Sequence, residues 1–298
     1  MIGSLDGPEE SQLFRVRGAF RLPDGRIVVG NSGTQEIRIF GPDGGLLASH
    51  GGEGEGPGEF SSLVLAGSLG DSLVVVDRRL RRISQIHPDK GFVRSFTPAD
   101  TLGMDFRRAW VLSERTILLQ DIPLDSEVLA EGFHRNPIPL RSCNLDGALA
   151  RDFGPWPGSE QVTLVRRTDT GIATLLETIP FGKSPKIAVA RGLLFYADQD
   201  SYRIDVYGGD GTYLSSIRMA RAPRPVSEAD LEAFLDAELE GMDQDEARER
   251  RRELGEMPHG EVHPPIGALA ADAQGFLFVQ ENRLVGEASG HPAQSREW

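Results

Sequence analysis

Short apolar runs recur along the chain, each entered through a tight turn and closed by a polar side chain. Asp24-Gly25 leads through Ile27-Val28-Val29 to Asn31, and Gly70-Asp71 leads through Leu73-Val74-Val75-Val76 to Asp77. Glu114-Arg115 leads to Asp121, Arg191-Gly192 to Asp198 and Gln274-Gly275 to Glu281 in the same way. Short runs rich in β-branched and aromatic residues, bounded by turn residues, predict buried strands and not helices. An alternating strand then follows in four of these five copies, such as Glu36-Ile37-Arg38-Ile39-Phe40 or Tyr202-Arg203-Ile204-Asp205-Val206-Tyr207. It ends in a second turn: Pro42-Asp43-Gly44, Pro88-Asp89-Lys90-Gly91, Leu145-Asp146-Gly147 or Gly209-Asp210-Gly211. Asp-Gly between alternating strands is the strongest short-range hairpin signal.

One more strand follows each second turn, and another precedes the first (Val16 to Leu22, Leu63 to Ala66, Arg107 to Ser113). The unit is a four-stranded up-and-down sheet recurring roughly every 40–50 residues, which is the sequence signature of propeller blades. The Gly-rich stretch Gly51 to Phe60 and its relatives at the blade junctions carry no Gly-Lys-Ser/Thr and precede no helix. They read as tight inter-blade crossings and not as phosphate cradles.

Several stretches carry a family resemblance. Gly54-Glu55-Gly56-Pro57-Gly58-Glu59-Phe60, the strand ends Val74-Val75-Val76-Asp77 and Phe195-Tyr196-Ala197-Asp198, and the hairpin from Ile37 to Gly44 resemble the NHL-type six-bladed β-propellers of the broad TolB-like group. The resemblance spans roughly residues 1 to 281. It implies an all-β, six-bladed β-propeller forming a single domain over 1–298, and a periplasmic or secreted location. Five blade starts are visible and the pattern fades after Glu281, so the last blade is expected to be incomplete. The Ile2-Gly3 segment would then close the sixth blade as an outer strand, and blades one and five would expose apolar surface.

Three stretches interrupt the repeat: Pro123 to Pro137, Gly154 to Ser184 and Arg221 to Pro265. The connection between second and third strands and the crossing to the next blade lie at the same end of a four-stranded meander, so all three are expected on one face. The second predicts a β-hairpin at about 160–182, from Val162 to Val165 and Ile172 to Ile179 around Asp169-Thr170-Gly171. The third predicts a helical insertion at about 226–256. Ser227-Glu228-Ala229-Asp230 is a capping-box start, and Leu231, Phe234, Leu235, Leu239 and Met242 follow at helical spacing. Gly241 breaks that helix, Asp243 caps a second, and Gly255 is expected to end it; Arg248 to Arg252 reads as a helix face balanced by nearby acids. Binding residues concentrate on loops held by a rigid scaffold, so this face is the expected functional surface.

Charge sharpens that picture. The net charge is −13 over 298 residues, and Val226 to Glu256 alone holds 12 acidic against 4 basic residues. Such acidity argues against a nucleic-acid partner, whose phosphates need basic surface. No apolar run reaches the roughly 18 residues of a transmembrane helix. Met1 to Pro8 shows neither the basic nor the apolar region of a signal peptide. The single Cys143 has no internal partner and is expected to pack as a small hydrophobe. A monomer is expected.

Candidate chemistry is sparse. Asn31, Asp77, Asp121, Asp198 and Glu281 are expected to ring the insertion-bearing face at the second-strand ends. They read first as caps for turn N–H groups and, alternatively, as ligand-binding groups. Converging carboxylates suit a hard cation such as Ca²⁺. Gluconolactonase-like and paraoxonase-like six-bladed enzymes use such a central ion to polarise an ester. His259, Glu261 and His263 place three metal-ligand side chains on one loop, but Pro258 and Pro264 and the spacing do not fit His-Glu-x-x-His. Trp156 reads either as an exposed ligand anchor or as the cap of an inter-blade gap.

The function expected is a non-enzymatic binding module, taking a peptide, protein or carbohydrate on the insertion-bearing face of an extracytoplasmic protein. A divalent-metal-dependent lactonase or esterase is the alternative, and a structural or sensor domain of a longer protein is a third.

Overall fold

The computed structural model describes residues 2–3, 7–8, 12–99, 106, 108–121, 131–168, 171–272 and 274–282. β1 (Val16–Arg21), β2 (Ile27–Asn31), β3 (Glu36–Phe40) and β4 (Leu46–Gly51) form an antiparallel sheet in chain order. β5 (Leu63–Leu69), β6 (Ser72–Asp77), β7 (Arg82–His87) and β8 (Gly91–Phe96) form the next. In the third, β9 (Arg108–Ser113) and β10 (Thr116–Gln120) are followed by a departing strand, β11 (Gly132–His134), before β12 (Ile138–Asn144) and β13 (Leu149–Trp156) complete the sheet. β14 (Gln161–Thr168) and β15 (Gly171–Thr178) then pair with β11 outside the repeat. β16 (Lys186–Ala190), β17 (Leu193–Ala197), β18 (Arg203–Gly208) and β19 (Tyr213–Arg218) form the fourth sheet. After α1 (Glu228–Glu238) and α2 (Gln244–Glu256), β20 (Ile266–Ala271) and β21 (Leu277–Glu281) pair as the described part of a fifth.

The apolar runs explain how the sheets stack. Side chains alternate across a strand, so a run without polar residues is buried on both faces. Leu73 and Val75 pack toward the first sheet, with Val28, Ile37 and Ile39, while Val74 and Val76 pack toward the third, with Ile117 and Cys143. Separate apolar layers fill the later gaps, with Leu118, Leu140 and Leu194 between the third and fourth sheets and Ile204 and Ile266 between the fourth and fifth. The first strands β1, β5, β9, β16 and β20 contact one another in succession. Up-and-down sheets meeting through their first strands and sandwiching apolar layers define a β-propeller. Each fully buried Leu or Ile in these layers contributes about 1.5–3 kcal/mol, and truncating Leu73 to Ala is expected to cost about 2–5 kcal/mol.

Gly18 shows how close the first strands come. It sits at φ +98° at an irregularity in β1, where a Cβ would meet the Leu65 carbonyl oxygen at 2.7 Å. Any side chain there would push β1 from β5.

Several expected details shift. Ile2 and Gly3 lie in no strand. The fifth blade exposes apolar surface as expected: Phe276, which precedes β21, is 64% exposed and Phe278 is 59% exposed, while Leu277 and Val279 turn toward the fourth sheet. Gly255 does not end α2: the helix runs to Glu256, and Met257, extended at ψ 144°, is its cap. The stop comes from Pro258, which disfavours a helical conformation in the residue before it.

Candidate functional site

The three insertions meet. β11 comes from the first and pairs with β14 of the second through Gly132↔Thr163, Phe133↔Val162 and His134↔Gln161. β14 and β15 pair throughout, including Val162↔Glu177 and Leu164↔Leu175. Cross-strand partners share a face, so Phe133, Val162, Leu164, Leu175 and Glu177 line one side of this small sheet. The helices of the third insertion pack onto it. Leu254 and Met257 are buried with Val162 and Ile179, and Leu164, Phe234 and Leu235 pack around them.

Polar contacts lock the same body. Arg250 donates from Nη1 to Glu177 Oε1 at 3.0 Å and from Nη2 to Oε2 at 2.7 Å. Arg251 ties α2 to α1 through Glu232 at 2.9 Å and Asp236 at 2.6 Å. The basic cluster thus binds two neighbouring elements and is not simply a solvated face. α1 starts with the expected capping box between Ser227 and Asp230, and Asp243 caps α2 by accepting from the Asp245 and Glu246 N–H groups.

Asp230 also anchors the insertion's return. Its carboxylate accepts from Ser227 N (2.9 Å), Ser227 Oγ (2.6 Å) and Arg224 Nη2 (2.8 Å). The Ser227 hydroxyl and N–H foremost, with nearby His263, hold its carboxyl well below the usual carboxylate range. His263 is buried edge-on to Phe181 at 4.8 Å; its Nε2 lies 3.2 Å from Asp230 Oδ2 but too obliquely for a hydrogen bond. His259 is exposed with Nδ1 3.0 Å from the Gly260 carbonyl, and Glu261 is exposed. The loop therefore does not bring these three side chains together. Among the described residues no group of three His, Cys, Asp or Glu is placed to hold a metal ion.

The ring residues lie at or just beyond the second-strand ends, each with a polar partner. Asn31 accepts from Phe14 N–H at 2.7 Å and donates to Thr34 Oγ1 at 2.8 Å. Asp77 is fully buried; its Oδ2 accepts from Ser61 and Ser62 N–H at 2.6 and 3.3 Å, its Oδ1 from Arg79 and Leu80 N–H at 3.0 and 2.9 Å. Four donors fill the roughly four acceptor positions of a carboxylate. Asp121 Oδ2 lies 3.4 Å from Arg141 Nη1, and Glu281 Oε2 accepts from Arg221 Nη1 at 2.6 Å. Turned toward N–H and guanidinium donors, these oxygens as arranged do not fit a central cation.

Asp198 differs from the rest. It pairs with Arg135, just beyond β11, while the neighbouring Asp200 pairs with Lys183 from the second insertion. Burial, then the Asp200 carboxyl, push the Asp198 carboxyl up, whereas hydrogen bonds from Asp198 and Lys183 hold Asp200 down. Arg135 and Lys183 were invisible as site residues in the sequence, since each is a lone basic residue far along the chain from its partner. Trp156 fills the gap between the third and fourth blades, edge-on to Tyr196 and Tyr207 at 4.8 and 4.6 Å, its Nε1 donating to Phe153 O at 3.2 Å. Between α2 and the small sheet runs an open groove of about 630 Å³.

No model of a known protein family matches this chain, and no curated protein sequence matches it. Among solved structures it is similar to a streptogramin B lyase at 12% identity, covering 93% of this chain and 78% of that one with a TM-score of 0.39. It is also similar to a glutaminyl cyclase from Myxococcus xanthus at 11% identity, with coverage of 90% and 85% and a TM-score of 0.39. A virginiamycin B lyase from Staphylococcus aureus shares 14% identity, with 74% of each chain covered and a TM-score of 0.38. The propeller architecture rests on the sheets described above and not on these likenesses.

Proposed function

We propose that this protein is a non-enzymatic propeller binding module, with its ligand surface on the body built from the three insertions. The ring is read as six-bladed, of the NHL/TolB-like type, and extracytoplasmic. The observation that carries the reading is that β11, the β14–β15 hairpin and α1–α2 leave the repeat at three separate places and join around Val162, Ile179, Leu254 and Met257. Long surface insertions cost little stability, but three that share a core and an open groove form a defined surface on a rigid scaffold. The engagement of Asp77 by four N–H groups supports binding over a hydrolase built on the ring acids. Ligand classes are peptide, protein or carbohydrate.

The test is a peptide and glycan array, probed with the intact protein and with a variant in which residues 228–256 are replaced by a short Gly-Ser linker. Circular dichroism verifies that the variant keeps its strand signal. Ligands held by the intact protein and lost by the variant are expected. Ligands retained undiminished would refute the reading.

A further inference from the structure

The groove beside α2 has an apolar floor and an acidic rim. Leu164 of β14 lies on the floor above the buried Val162 and Met257. The floor continues past the groove: Phe133, cross-strand from Val162, is 53% exposed, and Leu175, cross-strand from Leu164, is 37% exposed. Four carboxylates line the rim, from Glu131, Glu249, Glu253 and Glu256, against the single guanidinium of Arg252. Glu253 is engaged by Arg250 at 3.3 Å. Glu131, Glu249 and Glu256 are exposed and have no ion-pair partner among the described residues.

This combination selects by charge and by apolar area. A nucleic acid or an acidic peptide would bring like charge against three unpaired carboxylates. A neutral sugar would hydrogen-bond those carboxylates through its hydroxyls but leave their charge uncompensated. Lys and Arg suit both parts of the groove, since their aliphatic stems lie along apolar surface while their heads stay in water. The volume of about 630 Å³ falls in the range of small-ligand clefts.

We propose that this groove binds a cationic peptide segment, seating an apolar side chain on Leu164 and the adjoining Phe133 and Leu175 and meeting Glu131, Glu249 and Glu256 with flanking Lys or Arg. The proposal deepens the binding-module reading and rests on it.

The test measures fluorescence anisotropy of a fluorescein-labelled KKLFKK peptide with the full chain, beside EELFEE and KKSGKK. The variant is Glu131→Gln/Glu249→Gln/Glu256→Gln, whose positions are all exposed and outside the packed core. KKLFKK is expected to bind saturably, and at least about tenfold more weakly to the triple variant, three modest ion pairs together amounting to that factor. KKSGKK is expected to bind at least about tenfold more weakly than KKLFKK, having lost its apolar pair, and EELFEE not at all. Absence of KKLFKK binding, or equal affinity for the triple variant, overturns the proposal. So does equal binding of KKSGKK with displacement by spermidine, which would mark a site for charge alone. The array separates this failure from that of the broader reading. A neutral or acidic array ligand that needs residues 228–256 but ignores the triple variant sinks the cationic groove and leaves the binding face standing. Array ligands indifferent to both variants sink both.

Discussion

Arg250 on α2 and Glu177 on β15 lie 73 residues apart in sequence and meet through two parallel hydrogen bonds of 3.0 and 2.7 Å. The pair is three-quarters buried on both sides. It joins the third insertion to the second at the edge of their shared apolar core. It fastens the two insertions alongside the backbone hydrogen bond from Gly260 N–H to the Pro180 carbonyl at 2.9 Å.

Arg250→Ala is expected to loosen that body, leaving a largely buried carboxylate with its principal donor gone. The cost is about 1–3 kcal/mol, between the values for exposed and fully buried pairs. Hydrogen exchange should show faster amides in α2 and β14–β15 while the blade strands β6 and β7 stay protected. Unchanged exchange in α2 would mean the pair is incidental.

Asp77 carries the heaviest backbone load among the ring residues, and its removal is expected to act on folding. Asp77→Ala orphans four N–H groups, Ser61 and Ser62 at the crossing into the second blade and Arg79 and Leu80 in the turn between β6 and β7. A single lost cap costs about 0.5–2 kcal/mol, and additional buried donors left unpaired raise this to about 3 kcal/mol or more. Urea denaturation is the measurement. A cost within about 0.5 kcal/mol of zero, the usual range for surface positions, would contradict the capping role.

The blades were legible because two independent signals coincide in them. Leu73 to Val76 has no polar residue since both faces of β6 are covered, and the turn residues on either side set its length. The helices were legible through Ser227 and Asp243, whose side chains cap locally and leave a short-range pattern. What escaped was everything joined across distance. Arg250 read as one of several arginines on a helix face, and Arg135 carried no signal at all, because their partners Glu177 and Asp198 are 73 and 63 residues away. β11 is three residues long and has no period to read. Gly255 looked like a stop, but the backbone constraint comes from Pro258.

Acid is expected to weaken the insertion through Asp230. Its carboxyl is held low in the folded state, so its contribution is complete above about pH 4, the unfolded carboxylate range, and is lost as pH falls toward the folded value. Asp198, pushed up by burial, has the opposite sign: its penalty recedes as pH falls through its folded value. Hydrogen exchange of α1 between pH 6 and 3 should therefore accelerate, beyond the intrinsic pH effect, in the native protein. That acceleration should flatten in Asp230→Asn. An equal response in both would exclude Asp230 as the titrating group.

Cys143 is expected to be inert. It is fully buried in the layer between the second and third blades, and burial pushes its thiol up to about 11. Thiolate is the reactive form, so iodoacetamide at pH 8 should label the denatured protein and spare the native one. Rapid native labelling would show that the layer opens.

The central claim is that the joined insertions form the ligand surface. It is tested most directly by hydrogen–deuterium exchange with and without a ligand taken from the array. Binding is expected to slow exchange in 131–134, 161–168, 171–178 and 244–258, leaving the opposite-face hairpins at 22–26, 41–45 and 208–212 unchanged. Protection confined to those hairpins, with none in the insertion body, would contradict the account.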